Sequence, residues 1–215
     1  MGARMLPDSE SRNIILQIRG RELPNEVVVF GGHIDSWDVG QGAQDDGGGA
    51  FAAWHALLAI KKLGLVPIRT LRVVLWTNEE NGVRGAEAYA LAHKDEKHIL
   101  AIESDEGSFK PLGFNYEGDE RFEEFLKSKM SLLQELGSGK LQAGFSGADV
   151  QPLQEKYGTP GIGLNVQSDR YFWYHHSEAD TIDKVDPLEL RECAATLGVI
   201  AYSVADAKLS TLDKD

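Results

Sequence analysis

A chain of 215 residues fits one domain with a substantial buried core. Its composition, 42% hydrophobic and 26% charged, is that of an ordinary globular protein, and it holds no apolar run of the roughly 18 residues a membrane span requires. A formal net charge of −12 argues against nucleic acid as a partner, because that binding needs a concentrated Lys/Arg surface.

The opening MGARMLPDSESRN has no apolar h-region and does not read as a signal peptide. Strand patterns at 13–18 and 27–31 flank the turn-rich RGRELPNE and read as a pair able to run antiparallel. A helix is expected over 48–63, a strand over 70–76, a helix over 82–92 and a strand over 99–103. Helical patterns follow at 120–136 and 148–157, then a strand at 160–164. The last helix, 187–207, opens with Asp186 as N-cap and Pro187 at the first helical position. This alternation, without internal repeats or low-complexity tracts, points to an α/β sandwich with a largely parallel sheet. The single cysteine, Cys193, lies in the apolar LRECAATLGVIAYSVA and reads as a packed core thiol.

Polar residues sit where the apolar runs stop. His33 and Asp35 follow VVVFGG, Glu79 and Glu80 follow TLRVVLW, and Glu103 and Asp105 follow HILAI. Each group lies just past the carboxyl end of an expected strand, where open α/β sheets place their ligand sites.

The residue types suit a metal, with bland alternatives open at each point. In His33-x-Asp35 the two side chains point the same way on extended backbone, so a carboxylate can orient a metal-binding imidazole. A surface histidine beside a loop acid fits the same pattern. Asp45 and Asp46 in GAQDDGGGA stand at a helix entrance, as metal ligands or as capping acids favoured by the helix dipole. No phosphate-cradle pattern is present there. Adjacent Glu79 and Glu80 project in opposite directions, one toward a metal and one toward a substrate cavity, or both lie in a solvated loop. His175 and His176 in RYFWYHHSEADT complete a His/carboxylate set of the kind that binds zinc or another divalent transition metal.

Taken in order, GGHIDSWDVGQGAQDDGGGAFAAWHAL, TLRVVLWTNEENGVRGAEAY, AIESDEG and YHHSEADTID resemble the di-zinc aminopeptidase and glutamate carboxypeptidase family over about residues 11–207. DSWDVGQGA followed by DDGGG points to its carboxypeptidase Q branch. The resemblance implies a three-layer α/β/α sandwich with a mixed, largely parallel sheet and two Zn2+ ions per chain. By motif, His33 and Asp105 would hold one ion, Glu80 and His176 the other, and Asp45 would bridge them. Glu79 would be the general base and Asp35 the partner of His33. The implied reaction is hydrolysis of short peptides, chiefly dipeptides with free termini, by a water activated between the metals. A homodimer in a secretory or lysosomal setting is implied as well. Residues 1–215 would then be the catalytic domain, a piece lacking an N-terminal region and a protease-associated insert domain.

Two positions depart from the family pattern. Gly48 stands where relatives often carry serine, and both Glu103 and Asp105 follow the strand where many relatives have a lone aspartate. Matching by motif favours Asp105 as the ligand; matching by distance from the strand favours Glu103. Arg170, Tyr171, Phe172, Trp173 and Tyr174 are candidates for the pocket wall. A single-zinc acyltransferase cyclising N-terminal glutamine and a non-catalytic binding module are the rival functions on the same fold.

Overall fold

The computed structural model describes residues 6–208. Seven strands form one sheet in the order β1-β3-β2-β4-β7-β5-β6. They are β1 (Ile14–Ile18), β2 (Leu23–His33), β3 (Arg69–Trp76), β4 (Lys97–Glu103), β5 (Pro111–Glu117), β6 (Lys140–Ala143) and β7 (Gly161–Val166). The helices are α1 (Gly48–Lys62), α2 (Arg84–Ala92), α3 (Glu120–Met130), α4 (Gln151–Tyr157) and α5 (Pro187–Ala205). The neighbours β3, β2, β4 and β7 run parallel, while β1 and β5 join antiparallel to β3 and β7, so the sheet is mixed.

Both faces of the central strands are covered, which is why they read as unbroken apolar runs. Val28 and Phe30 of β2 pack with Ala53, Leu57, Leu197 and Ile200 of α1 and α5. The alternate residues Val27 and Val29 pack on the other face with Ala86, Tyr89 and Leu153 of α2 and α4. This is the expected α/β/α sandwich. The second layer also buries Arg72, whose guanidinium donates to Glu96 Oε1 at 2.9 Å and to the Tyr89 hydroxyl at 3.0 Å. A buried cation so paired avoids the cost of an isolated charge.

The crossover from β2 to β3 runs through α1 on one face, and that from β3 to β4 runs through α2 on the other. The connections that leave the carboxyl ends of the neighbours β2 and β3 therefore turn to opposite faces of the sheet and open a crevice between those ends. His33 is the last residue of β2 and is in register with Trp76 of β3.

Several expectations need correction. Strand β1 does not pair with β2; it lies antiparallel to β3, with Ile14 opposite Leu75 and Ile18 opposite Leu71. Both edges of β2 are taken by β3 and β4, so only the outer edge of β3 is open to the half-exposed β1. Strands β5 and β6 carried no sequence signal: β5 is interrupted by Gly113 and Asn115, and β6 is a four-residue, mostly exposed edge. The helix expected over 120–136 ends at Met130 and tightens into a 3₁₀ segment, Ser131–Leu136. The helix expected from 148 starts at Gln151. Cys193 is buried as expected, donates to Phe109 O at 3.0 Å, and burial pushes its thiol up to about 12.

Candidate metal centre

Four parallel strand ends deliver the polar side chains to one place. Asp45 is at its middle. Its Oδ1 lies 3.2 Å from His33 Nε2, and its Oδ2 lies 3.5 Å from His176 Nε2 and 3.6 Å from His175 Nε2. His33 Nε2 is also 3.2 Å from Asp105 Oδ1, and His176 Nε2 is 2.8 Å from Glu80 Oε2. Asp45 thus presents one oxygen to each half of the cluster, the disposition a bridging carboxylate requires.

Three shielded carboxylate oxygens here, Asp45 Oδ2, Glu80 Oε1 and Asp105 Oδ1, have no hydrogen-bond partner. Unpaired buried anions are costly unless a cation or proton compensates them. Ligand atoms of His33, Asp45 and Glu80 lie within 4.8 Å of one another, as do those of Asp45, His175 and His176 and those of His33, Asp46 and Asp105. Imidazole and carboxylate in such groups are the donor set of zinc, so the residues fit the metal.

Asp46 is close enough to count in the last group, but its oxygens are committed elsewhere. Oδ2 accepts from His33 N at 3.1 Å and Oδ1 from Gly49 N at 3.0 Å, so Asp46 caps α1 and ties it to the end of β2. Of the pair, Asp46 is turned to backbone N–H groups while Asp45 faces the imidazoles. The peptide bond between them is cis. A Cβ at Gly49 would come within 1.9 Å of Ser104 O, so only glycine lets α1 approach this closely. At Gly48 a Cβ would meet the Ser108 side chain at 2.8 Å, so Ser108 occupies the space a residue-48 side chain would need.

The partner of His33 differs from expectation in detail. The ring Nδ1 bonds the main-chain carbonyl of Asp35 at 2.9 Å, while the Asp35 carboxylate stands 3.7 Å away. That carboxylate accepts the Glu79 backbone N–H at 3.1 Å. Asp35 therefore orients the imidazole through its main chain and holds the Glu79 segment through its side chain. Glu79 Oε2 is 3.9 Å from His33 Nε2, at the margin of the ligand set. Burial, and then the nearby Asp105 charge, push its carboxyl up to about 7. Burial alone would lower the His33 imidazole, but the Asp105 and Asp45 carboxylates, each 3.2 Å from Nε2, outweigh that and hold it above the usual range.

Asp105, not Glu103, faces the imidazole. Glu103 Oε2 turns away to accept the Val150 N–H at 3.0 Å. Beyond it lies Asp149, buried with neither oxygen partnered. Burial, then the Asp149 and Asp105 charges, hold the Glu103 carboxyl far above the ordinary range; burial does the same for Asp149 against the opposing pull of His33.

Three supporting residues escaped the sequence reading. Asp180 accepts the N–H groups of Gln44 at 2.7 Å and Asp45 at 3.0 Å, fixing the backbone that carries the Asp45 carboxylate. Gln44 accepts from Ser108 N at 2.7 Å and donates to Lys184 O at 2.9 Å. Trp37 stacks on His176, with centroids 4.2 Å apart and planes 11° from parallel. Asp180 lay within the quoted YHHSEADTID and Trp37 within DSWDVGQGA, but nothing local told their roles.

A cavity of about 290 Å³ opens beside Asp105 and His175. Of the expected wall residues only Tyr171 and Phe172 line it. They sit on a 3₁₀ turn, Ser168–Trp173, which spreads successive side chains around its axis. Trp173 is mostly exposed, Tyr174 lies beside Lys184, and Arg170 reaches Glu189 at 3.2 Å.

Comparison with known proteins agrees with this geometry. A sequence profile of Peptidase family M28 matches residues 13–201. The chain belongs to peptidase family M28. It is 46% identical to carboxypeptidase Q of Rattus norvegicus over 208 residues, covering 96% of this chain and 44% of that protein. Among solved structures, a peptidase M28 precursor from Shewanella amazonensis SB2B superposes with a TM-score of 0.85 at 34% identity, over 91% of this chain and 45% of that one. BSAP, a zinc aminopeptidase from Bacillus subtilis, shares the fold with a TM-score of 0.72 at 18% identity, over 92% of this chain and 51% of that one. This M28 chain thus spans less than half the length of the carboxypeptidase Q sequence it matches.

Proposed function

We propose that this M28 domain is a di-zinc metallo-exopeptidase acting on short peptides, chiefly dipeptides with free termini. The observation that carries the reading is the trio of buried, unpartnered carboxylate oxygens of Asp45, Glu80 and Asp105 facing the His33 and His176 imidazoles. His33 and Asp105 would hold one zinc, Glu80 and His176 the other, with Asp45 between them. Zinc, when bound, supplies Lewis-acid polarisation of the scissile carbonyl and lowers the pKa of water.

The chain's own residues do the rest. Glu79, whose carboxyl is pushed up to about 7 and is increasingly ionised above neutral pH, takes a proton from the attacking water and returns it to the departing amine. The Asp35 carboxylate holds the Glu79 backbone so that the carboxylate stays beside the ligands. Asp180 and Asp46 pin the two peptide units that aim Asp45 and His33. The concentrated acids favour a substrate's free α-amino group, which supports exo- rather than endo-cleavage. The two ligand groups on either side of Asp45 support two ions over one, and so favour hydrolysis over a single-zinc acyltransferase. Full ligand competence at every position disfavours a non-catalytic binding module. Among the described residues no helix is long and apolar enough to cross a membrane. A homodimer and a secretory or lysosomal setting remain part of the proposal on family resemblance.

The test is metal analysis of the purified chain together with dipeptide hydrolysis, with and without a chelator. Two zinc ions per chain and chelator-sensitive cleavage support the reading. One ion per chain with pyroglutamate formation overturns it.

A further inference from the structure

We infer that Glu106 makes the cavity beside the metal ligands selective for a cationic side chain, lysine or arginine, on the amino side of the bond to be cut. The inference deepens the exopeptidase reading and rests on it. The cavity is lined by Glu103, Asp105 and Glu106 and by the rings of Phe145, Tyr171 and Phe172; no lysine or arginine lines it, and its one basic side chain, His175, turns Nε2 to Asp45 at 3.6 Å. Glu103 is 1% exposed, and its Oε1 has no hydrogen-bond partner. Asp105 belongs to the metal cluster through His33, at 3.2 Å. Glu103 is sealed in the interior with Oε2 on the Val150 N–H, which makes Glu106 the acid that is both accessible from the cavity and outside the His33 cluster. It is half-buried, and among the described residues it pairs with no cation.

The basic residues of the neighbouring segment are engaged elsewhere. Arg170 reaches Glu189 and lies over the Phe109 ring, 4.9 Å from its centroid, and Lys184 pairs with Asp183. A half-buried carboxylate with no cation paired to it attracts one from a ligand and repels an anionic side chain. The aromatic walls suit the same guest, because they pack against its methylene stem and attract the cation at its end. Asn115 and Ser168 add only neutral polar groups. The side assignment follows from connectivity. The α-amino group is drawn toward the acids around Asp105, and its residue's side chain leaves the same Cα, so it enters the cavity that shares Asp105.

The experiment compares Lys-Ala, norleucyl-Ala and Glu-Ala with the zinc-loaded chain; norleucine matches lysine in length without its charge. Lys-Ala should exceed norleucyl-Ala by about tenfold in kcat/KM, mostly through KM, with Glu-Ala lowest. In Glu106→Gln the lysyl to norleucyl ratio should fall to near one and the penalty on Glu-Ala should shrink. A ratio that Glu106→Gln leaves unchanged, or a wild type that prefers norleucyl or glutamyl substrate, overturns the inference. If no dipeptide is cleaved, the peptidase reading fails for this chain. The pocket is then judged by calorimetry with lysine hydroxamate and norleucine hydroxamate on the zinc-loaded protein. The same preference, lost in Glu106→Gln, upholds the pocket, and equal binding of the two refutes it.

Discussion

Replacing Glu79 by glutamine separates proton transfer from metal binding. The Glu79 carboxylate stands 3.9 Å from His33 Nε2, against 3.2 Å for Asp45 and Asp105, so it is the acid at the edge of the cluster. Its segment is held by its own backbone N–H on Asp35, a bond the substitution leaves intact. The amide has the same volume, so zinc content and thermal stability should stay near wild type. What is lost is the base. Hydrolysis should fall by roughly 10²–10⁴-fold, which corresponds to about 3–5 kcal/mol of transition-state stabilisation. The pH profile gives a second reading. A carboxyl pushed up to about 7 is more ionised as pH rises, so wild-type activity should climb through the neutral range. That limb should be absent from the residual activity of the variant. The assay is steady-state dipeptide hydrolysis over pH 5.5–9, with metal content measured on the same samples (the range spans about 1.5–2 units either side of the pKa). Near-full activity at full zinc content would refute the assignment, and loss of zinc would make Glu79 a ligand.

Three further outcomes follow from the same geometry. Asp105→Asn should weaken one zinc far more than Glu103→Gln does in a metal titration, because Asp105 faces His33 whereas Glu103 accepts the Val150 N–H; the reverse order would exchange their roles. Asp180→Ala should lower zinc affinity by about 10–100-fold without removing a ligand, since it frees the peptide units of Gln44 and Asp45; unchanged affinity would show that Asp45 is held without it. Metal-free protein should lose stability from pH 7 to pH 9 (a range above the unfolded histidine pKa of about 6.5), measured by thermal unfolding in chelator. His33, Glu79, Asp46, Glu103 and Asp149 all have raised folded pKa values, so the folded state holds more protons there and rising pH disfavours it. Zinc should flatten that slope by taking the place of the proton on His33, and a rise in stability toward pH 9 without metal would contradict the argument.

Much of the site was legible before any fold was known. Strand ends can be read from where an apolar run stops, and His33, Glu79, Glu80 and Asp105 all follow such stops. The central strands are buried on both faces, so their sequence is continuous and their ends are sharp. The covering helices carry their own period and caps, as Asp186 and Pro187 do for α5. Pairing was not legible in the same way. Strand β1 lies against β3 because β2 had no open edge, a fact about neighbours rather than about β1. Strands β5 and β6 depend for their order on partners far along the chain. The division of labour between Asp45 and Asp46 was likewise open, because capping and metal binding demand the same residue type at the same turn. Only the packed structure shows Asp46 turned to the backbone of His33 and Gly49 while Asp45 faces the imidazoles. Glu103 and Asp105 share a direction on extended backbone, and the contact with Val150, 47 residues away, separates them. Local sequence specifies which groups stand at a strand end; which of them faces the imidazoles depends on contacts with residues far away in the chain, and those exist only once the layers have closed.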